Sequence, residues 1–112
     1  MERFFTFALA LAAGSSLLAT VAVGQGALPT IGQKDRQFSQ ESVSIRPGGG
    51  VRFLNDDAVA HNVFARDPSG ANRPGVLQRP GEESTLTFDA AGTFQVLCAI
   101  HPRMRMSVQV QP

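Results

Sequence analysis

From Leu28 onward the chain alternates apolar and polar residues in short runs, and turn residues cut those runs at close spacing. Ser42-Val43-Ser44-Ile45 alternates polar with apolar, and Arg46-Pro47-Gly48-Gly49-Gly50 ends it as a strong turn. Val51-Arg52-Phe53-Leu54 resumes with Val51 and Phe53 on one face at period two. Asn55-Asp56-Asp57 breaks the pattern, and His61-Asn62-Val63-Phe64-Ala65 restores it. After a polar loop over 67–73 and a turn at Arg79-Pro80-Gly81-Glu82, Ser84 to Phe88 alternates with Leu86 and Phe88 inward. Asp89-Ala90-Ala91-Gly92 turns the chain again. Phe94, Val96 and Cys98 then share one face, as do Met104, Met106, Val108 and Val110. Leu28 to Lys34 reads as a first, edge strand. No segment after the first 24 residues keeps a helical period, so the pattern predicts an all-β sandwich of about seven to eight strands.

The first 24 residues stand apart. Met1-Glu2-Arg3 is charged, Phe4 to Val23 carries no charge, and small residues follow at Ala22, Gly24, Gly26 and Ala27. That order predicts a signal peptide over residues 1–24, with cleavage after Ala22, Gly24 or Ala27, and a domain over 25–112 exported to the periplasm. The uncharged run is also long enough for an uncleaved anchor. Gly14, Ser15, Ser16 and Thr20 dilute it and favour cleavage, after which no stable membrane insertion is expected. The remaining domain, of about 85–90 residues, is large enough for one core.

Composition narrows the partners. The formal net charge of +1 gives no case for nucleic acid, and the absence of Trp and Tyr leaves little for base stacking. Cys98 is the only cysteine and cannot form an internal disulfide. In an oxidising compartment a lone thiol is either a liability or a site.

Candidate chemistry gathers at that thiol. Cys98-Ala99-Ile100-His101-Pro102-Arg103-Met104 puts a thiol, an imidazole and a thioether within seven residues, and His61 is the only other histidine. Two imidazoles, a thiolate and a weak axial thioether are the donor set of a mononuclear thiolate copper site. Each element alone is weak: a strand Cys is commonly apolar filler, and a Met commonly fills core gaps. One Cys and two His that all fall where one ion can use them make a far stronger signal. The alternatives are a copper chaperone or store without an electron-transfer role, and a structural sandwich with an inert thiol. An oxidase module is excluded, because two His cannot supply the further copper cluster it needs.

These residues resemble the small type I blue copper proteins, the cupredoxins of the plastocyanin, pseudoazurin and amicyanin group. The resemblance is carried by Pro47-Gly48, by Asn55 and Asp56, by His61-Asn62-Val63, and by Gly92 through Met104. It implies a Greek-key β-sandwich, one copper ion (Cu+/Cu2+), and His61, Cys98 and His101 as trigonal ligands. Plastocyanins and pseudoazurins place the axial Met five residues after the second His, here Met106. Amicyanins use a His-Pro-x-Met loop, here His101-Pro102-Arg103-Met104. The shorter loop is favoured, since it leaves Met106 to Val110 as a last strand, with Met106 as the alternative ligand. The resemblance further implies that Asn62 hydrogen-bonds across to the Cys loop and that His101 with Pro102 forms the electron port, with Arg103 beside it. Arg103 and Arg105 there suit an acidic partner. With four protein ligands and no open position, the expected function is a non-enzymatic one-electron carrier. It would be a monomer meeting a donor and an acceptor transiently.

Overall fold

A computed structural model describes residues 28–112. The expected signal peptide lies outside the described residues. Among them, no helix is long and apolar enough to cross a membrane. The described residues form nine strands: β1 (Thr30–Lys34), β2 (Gln37–Phe38), β3 (Ser42–Ile45), β4 (Gly49–Asn55), β5 (His61–Arg66), β6 (Val76–Gln78), β7 (Glu83–Phe88), β8 (Gly92–Cys98) and β9 (Arg105–Val110). They form two sheets, in the orders β2-β1-β4-β7 and β3-β9-β8-β5-β6. Neighbours are antiparallel except β1 with β4 and β3 with β9, which run parallel.

Alternation along the strands builds the core between the sheets. β1, β4 and β7 contribute Ile31, Val51, Phe53 and Phe88; β5, β8 and β9 contribute Val63, Phe94, Val96, Met106 and others to the same apolar cluster. Phe88 meets Phe94 edge-on with ring centroids 5.0 Å apart. That geometry suits the ring quadrupoles and ties the two sheets together.

Two expectations need correction. The strand from Leu28 begins at Thr30 and is not an edge, because β2 pairs outside it. The strand count is nine rather than seven to eight because β2 and β6 are two and three residues long. Such runs are too short to show a period. β6 also inverts the usual pattern: Leu77 is 51 % exposed while Gln78 is fully buried. Gln78 is held inside by bonds, accepting from Gln33 Nε2 at 2.6 Å and donating to the Phe53 carbonyl at 2.8 Å. A buried amide with partners on both sides is a satisfied core group, and nothing in its residue type announces that.

The β1–β2 hairpin turns through Asp35 and Arg36, both in the left-handed region (φ 54° and 58°). A two-residue turn with positive φ at both central positions matches the twist of the flanking strands. Asp tolerates the conformation; for Arg it costs about 1–2 kcal/mol. The compensation lies in what the Arg36 N–H reaches, at the functional end of the sandwich.

Candidate metal centre

Antiparallel pairing of β5 with β8 brings His61 and Cys98 to one end. Val63 lies opposite Cys98, so His61, two residues earlier on the same inward face, stands just beyond the thiol. His61 is fully buried and Cys98 is 2 % exposed. After Cys98 the chain leaves the sheet and returns at β9. Within that loop the Met104 N–H donates to the His101 carbonyl at 2.9 Å, and the Cys98 N–H donates to the Met104 carbonyl at 3.3 Å. This closure folds His101, which is half-buried, back over Cys98.

Three donor atoms converge. His61 Nδ1 lies 3.2 Å from His101 Nδ1, and Cys98 Sγ lies 3.6 Å and 3.7 Å from those two atoms. A point equidistant from all three is about 2.0 Å from each, close to the bond lengths of imidazole and thiolate to a transition metal. Two nitrogen lone pairs this close repel each other unless a shared proton or a cation joins them. The donor set, one soft thiolate with two imidazoles, suits copper.

The surrounding hydrogen bonds aim these donors. His61 Nε2 lies 3.0 Å from Asp57 Oδ2. An ionised carboxylate only accepts, so the proton sits on Nε2 and the Nδ1 lone pair points at the other two donors. The same Asp57 Oδ2 accepts the Arg36 N–H at 2.8 Å, which fastens the left-handed hairpin turn to the site. That Arg36 N–H is the strongest influence holding the Asp57 carboxyl far below the usual carboxylate range; His61 and the Ala58 N–H add to it. Cys98 Sγ accepts the Asn62 N–H at 3.3 Å, and the Asn62 carbonyl accepts the Ala99 N–H at 2.9 Å. These two bonds join Asn62 to the Cys98 corner through its main chain. The Asn62 Oδ1 instead leans over Gly75, where any Cβ would overlap it.

Burial pushes the His101 pKa below 6.5, with the His61 ring and Arg36 adding to the shift and Asp57 opposing it. As pH falls from 6.5, the unfolded chain binds this proton before the folded one does. The metal-free protein therefore loses stability as pH drops through that window, and the contribution is flat above it. Thermal melts of metal-free protein at about pH 7.5 and pH 5.5 should show the lower midpoint at the acid value. A His101→Gln variant should flatten that difference.

Of the expected site residues, His61, Cys98 and His101 form one cluster. Met104 is buried at the end of their loop, and Met106 is buried one strand position into β9. Pro102 and Arg103 are exposed on the loop. Asp57 and Arg36 were not expected. Asp57 had a readable signal, a carboxylate four residues before a candidate ligand. Arg36 had none, since its role comes from a backbone N–H.

A two-sheet sandwich that buries a His-Cys-His cluster at one end defines the class of mononuclear type I copper proteins, whose centres serve one-electron transfer. This chain belongs to the copper binding proteins of the plastocyanin/azurin family, which match residues 27–111. Members of that family are electron carriers rather than enzymes. Amicyanin-alpha of Methylorubrum extorquens is 31% identical over 121 aligned positions spanning 97% of this chain and 99% of that relative. Plastocyanin of Scenedesmus fuscus is 39% identical over 72 positions, 57% of this chain and 74% of that relative. The crystal structure of amicyanin from Paracoccus versutus has a TM-score of 0.69 at 24% identity, covering 80% of this chain and 87% of that one, and speaks for the fold alone. An amicyanin variant in its reduced Cu(I) form reaches 28% identity at a TM-score of 0.68, covering 86% and 92%.

Proposed function

We propose that this protein is an exported one-electron carrier whose copper is held by His61, Cys98 and His101 in a plane and by Met104 on the axis. The observation that carries the reading is the convergence of His61 Nδ1, Cys98 Sγ and His101 Nδ1 at 3.2 to 3.7 Å inside a largely buried end of the sandwich. Bound copper supplies a couple between a soft monovalent and a harder divalent ion.

The chain's residues hold a donor set that both oxidation states accept. His61 is locked by Asp57, and Cys98 by its strand and the Asn62 N–H. Donors that are already fixed move little when charge changes, so little reorganisation opposes electron transfer. His101 is the donor residue that meets solvent, with exposed Pro102 and half-exposed Ile100 (49 %) around it. That edge is the electron port. A store or chaperone hands its ion over through an accessible thiol; a Cys98 that is 2 % exposed favours retention. The family match over residues 27–111 supports a copper domain over 25–112, before which we place an export segment over residues 1–24.

Met104 is favoured over Met106 because of what surrounds each. Both are 2 % exposed, but Met106 belongs to the continuous apolar core between the sheets, and Met104 stands outside that cluster beside the His101 loop. Voltammetry and absorption spectra of the copper-loaded protein test the reading. Met104→Leu should shift spectrum and potential strongly. Met106→Leu should change neither and cost less than about 1.5 kcal/mol of stability. The reverse result moves the axis to Met106. A copper-loaded protein that exchanges no electron at the electrode ends the carrier reading.

A further inference from the structure

Beside the port, a groove of about 680 Å³ runs between the β2 edge of one sheet and the start of β3, under the 100–105 loop. We propose that this groove is the docking cleft for an acidic polypeptide segment of a redox partner, gripped by Arg36, Arg103 and Arg105. The inference deepens the carrier reading and rests on it.

Charge complementarity selects the occupant. Three guanidiniums against the single Glu41 carboxylate leave the groove at +2, more than the +1 of the whole chain. All three Arg side chains are exposed, and none joins an ion pair among the described residues. Positive charge focused in a concave site steers an anionic partner and speeds encounter. Arg is suited to this task, since its planar fork pairs with a carboxylate through two parallel bonds.

The lining is not uniformly polar. Phe38, Ile100 and Pro102 add apolar surface to the lining. The matching segment therefore carries carboxylates around an apolar side chain. A concave groove fits a peptide chain better than a flat lipid surface, and the missing Tyr and Trp argue against stacked bases.

Position links the groove to the chemistry. His101 lines it, so an occupant rests against the port. Arg36 is held by its own backbone, whose N–H bonds the Asp57 oxygen that also holds His61. The distal Arg is thus anchored to the metal centre instead of swinging on a free loop. Sequence distance hides this, because Arg36 lies far from Arg103 along the chain.

The test uses copper-loaded, reduced full domain and a synthetic peptide with four Glu around a Leu. Amide shifts are followed by NMR at about 20 mM and about 200 mM salt. The expected shifts cluster at 36–41 and 100–105, fade at the higher salt, and are absent with a Lys-for-Glu peptide. Combined Arg36→Glu and Arg103→Glu should weaken peptide binding roughly tenfold or more. Arg46→Glu, at the opposite end, should change it less than about twofold. Equal weakening by Arg46→Glu, shifts elsewhere, or no binding overturns the cleft. Vesicles containing an anionic lipid that displace the peptide would assign the groove to a membrane instead. Absence of the thiolate-to-copper absorption after oxidation of the same sample would strike the carrier reading, while an intact band on oxidation without peptide binding would strike only the cleft.

Discussion

Cys98→Ser should abolish the intense thiolate-to-copper absorption and remove the stabilisation that copper gives the folded protein. The ion binds the deprotonated thiol and enforces that deprotonation itself. A serine hydroxyl is a harder donor and keeps its proton at neutral pH. Two imidazoles and a thioether then lack the charged donor that anchors a divalent ion. An ion that binds only the folded state stabilises it by about 4 kcal/mol at a free concentration a thousand times Kd. For a domain of this size that corresponds to a rise in midpoint of more than about 15 °C. Calorimetry with and without cupric ion should show that rise for the native protein and almost none for the variant. Metal-free variant and metal-free native protein should melt close together, because Ser is nearly the same size and the Asn62 N–H beside Sγ can donate to its oxygen. A Cys98→Ser protein that keeps the full copper-dependent rise would remove Cys98 from the ligand set.

The parts of this site that the sequence displays are those that depend on residue type. One Cys and two His form a set so small that only one arrangement uses them all, and the structure brings the three together. The strands that carry them alternate with core residues such as Val63, Val96 and Met106 on the inward face, so their direction could be read as well. The place of the last strand was legible because Met106 to Val110 alternates apolar and polar, and β9 runs Arg105–Val110.

What the sequence hides is carried by the main chain or by polar residues facing inward. The Asn62 contacts to the Cys98 corner use its N–H and carbonyl, which every residue but proline has. Gln33 and Gln78 are both fully buried and bonded to each other, so hydropathy places them on the wrong side. The Asp35-Arg36 turn lacks the Asn-Gly signature of a two-residue hairpin and is stabilised by a carboxylate 21 positions away. Asn55 likewise works through main-chain groups, one of them far along the chain. Its amide donates to the Val59 and Gln78 carbonyls at 2.9 Å, and its Oδ1 accepts the Asp57 N–H. A segment that broke the alternation thus turns out to be the scaffold of the metal-side loop.

Asp57→Asn should raise the reduction potential and weaken cupric binding while leaving the fold in place. Asn can still accept the His61 Nε2–H and the Arg36 N–H through its amide oxygen, so ring orientation and the hairpin latch are kept, and of the hydrogen bonds only that from the Ala58 N–H is lost. What disappears is a full negative charge bonded to a ligand imidazole, and that charge favours the divalent state more than the monovalent one. Loss of such a carboxylate partner typically costs about 10–100-fold in metal affinity. If the loss falls on the cupric form, each tenfold raises the one-electron potential by about 59 mV, for a total of about 60–120 mV. Asp57→Ala should go further, because it also frees the Arg36 N–H and the strained turn. The acid behaviour gives a second readout that does not depend on copper. The folded pKa of Asp57 lies below its unfolded value of 3.8, so its contribution is complete above that value and is lost as pH falls beneath it. Metal-free native protein should lose stability steeply below about pH 4, and Asp57→Asn should lose less over the same range. An unchanged potential in Asp57→Asn would mean that the carboxylate only shapes the loop, and an unchanged acid profile would mean that it stabilises nothing there.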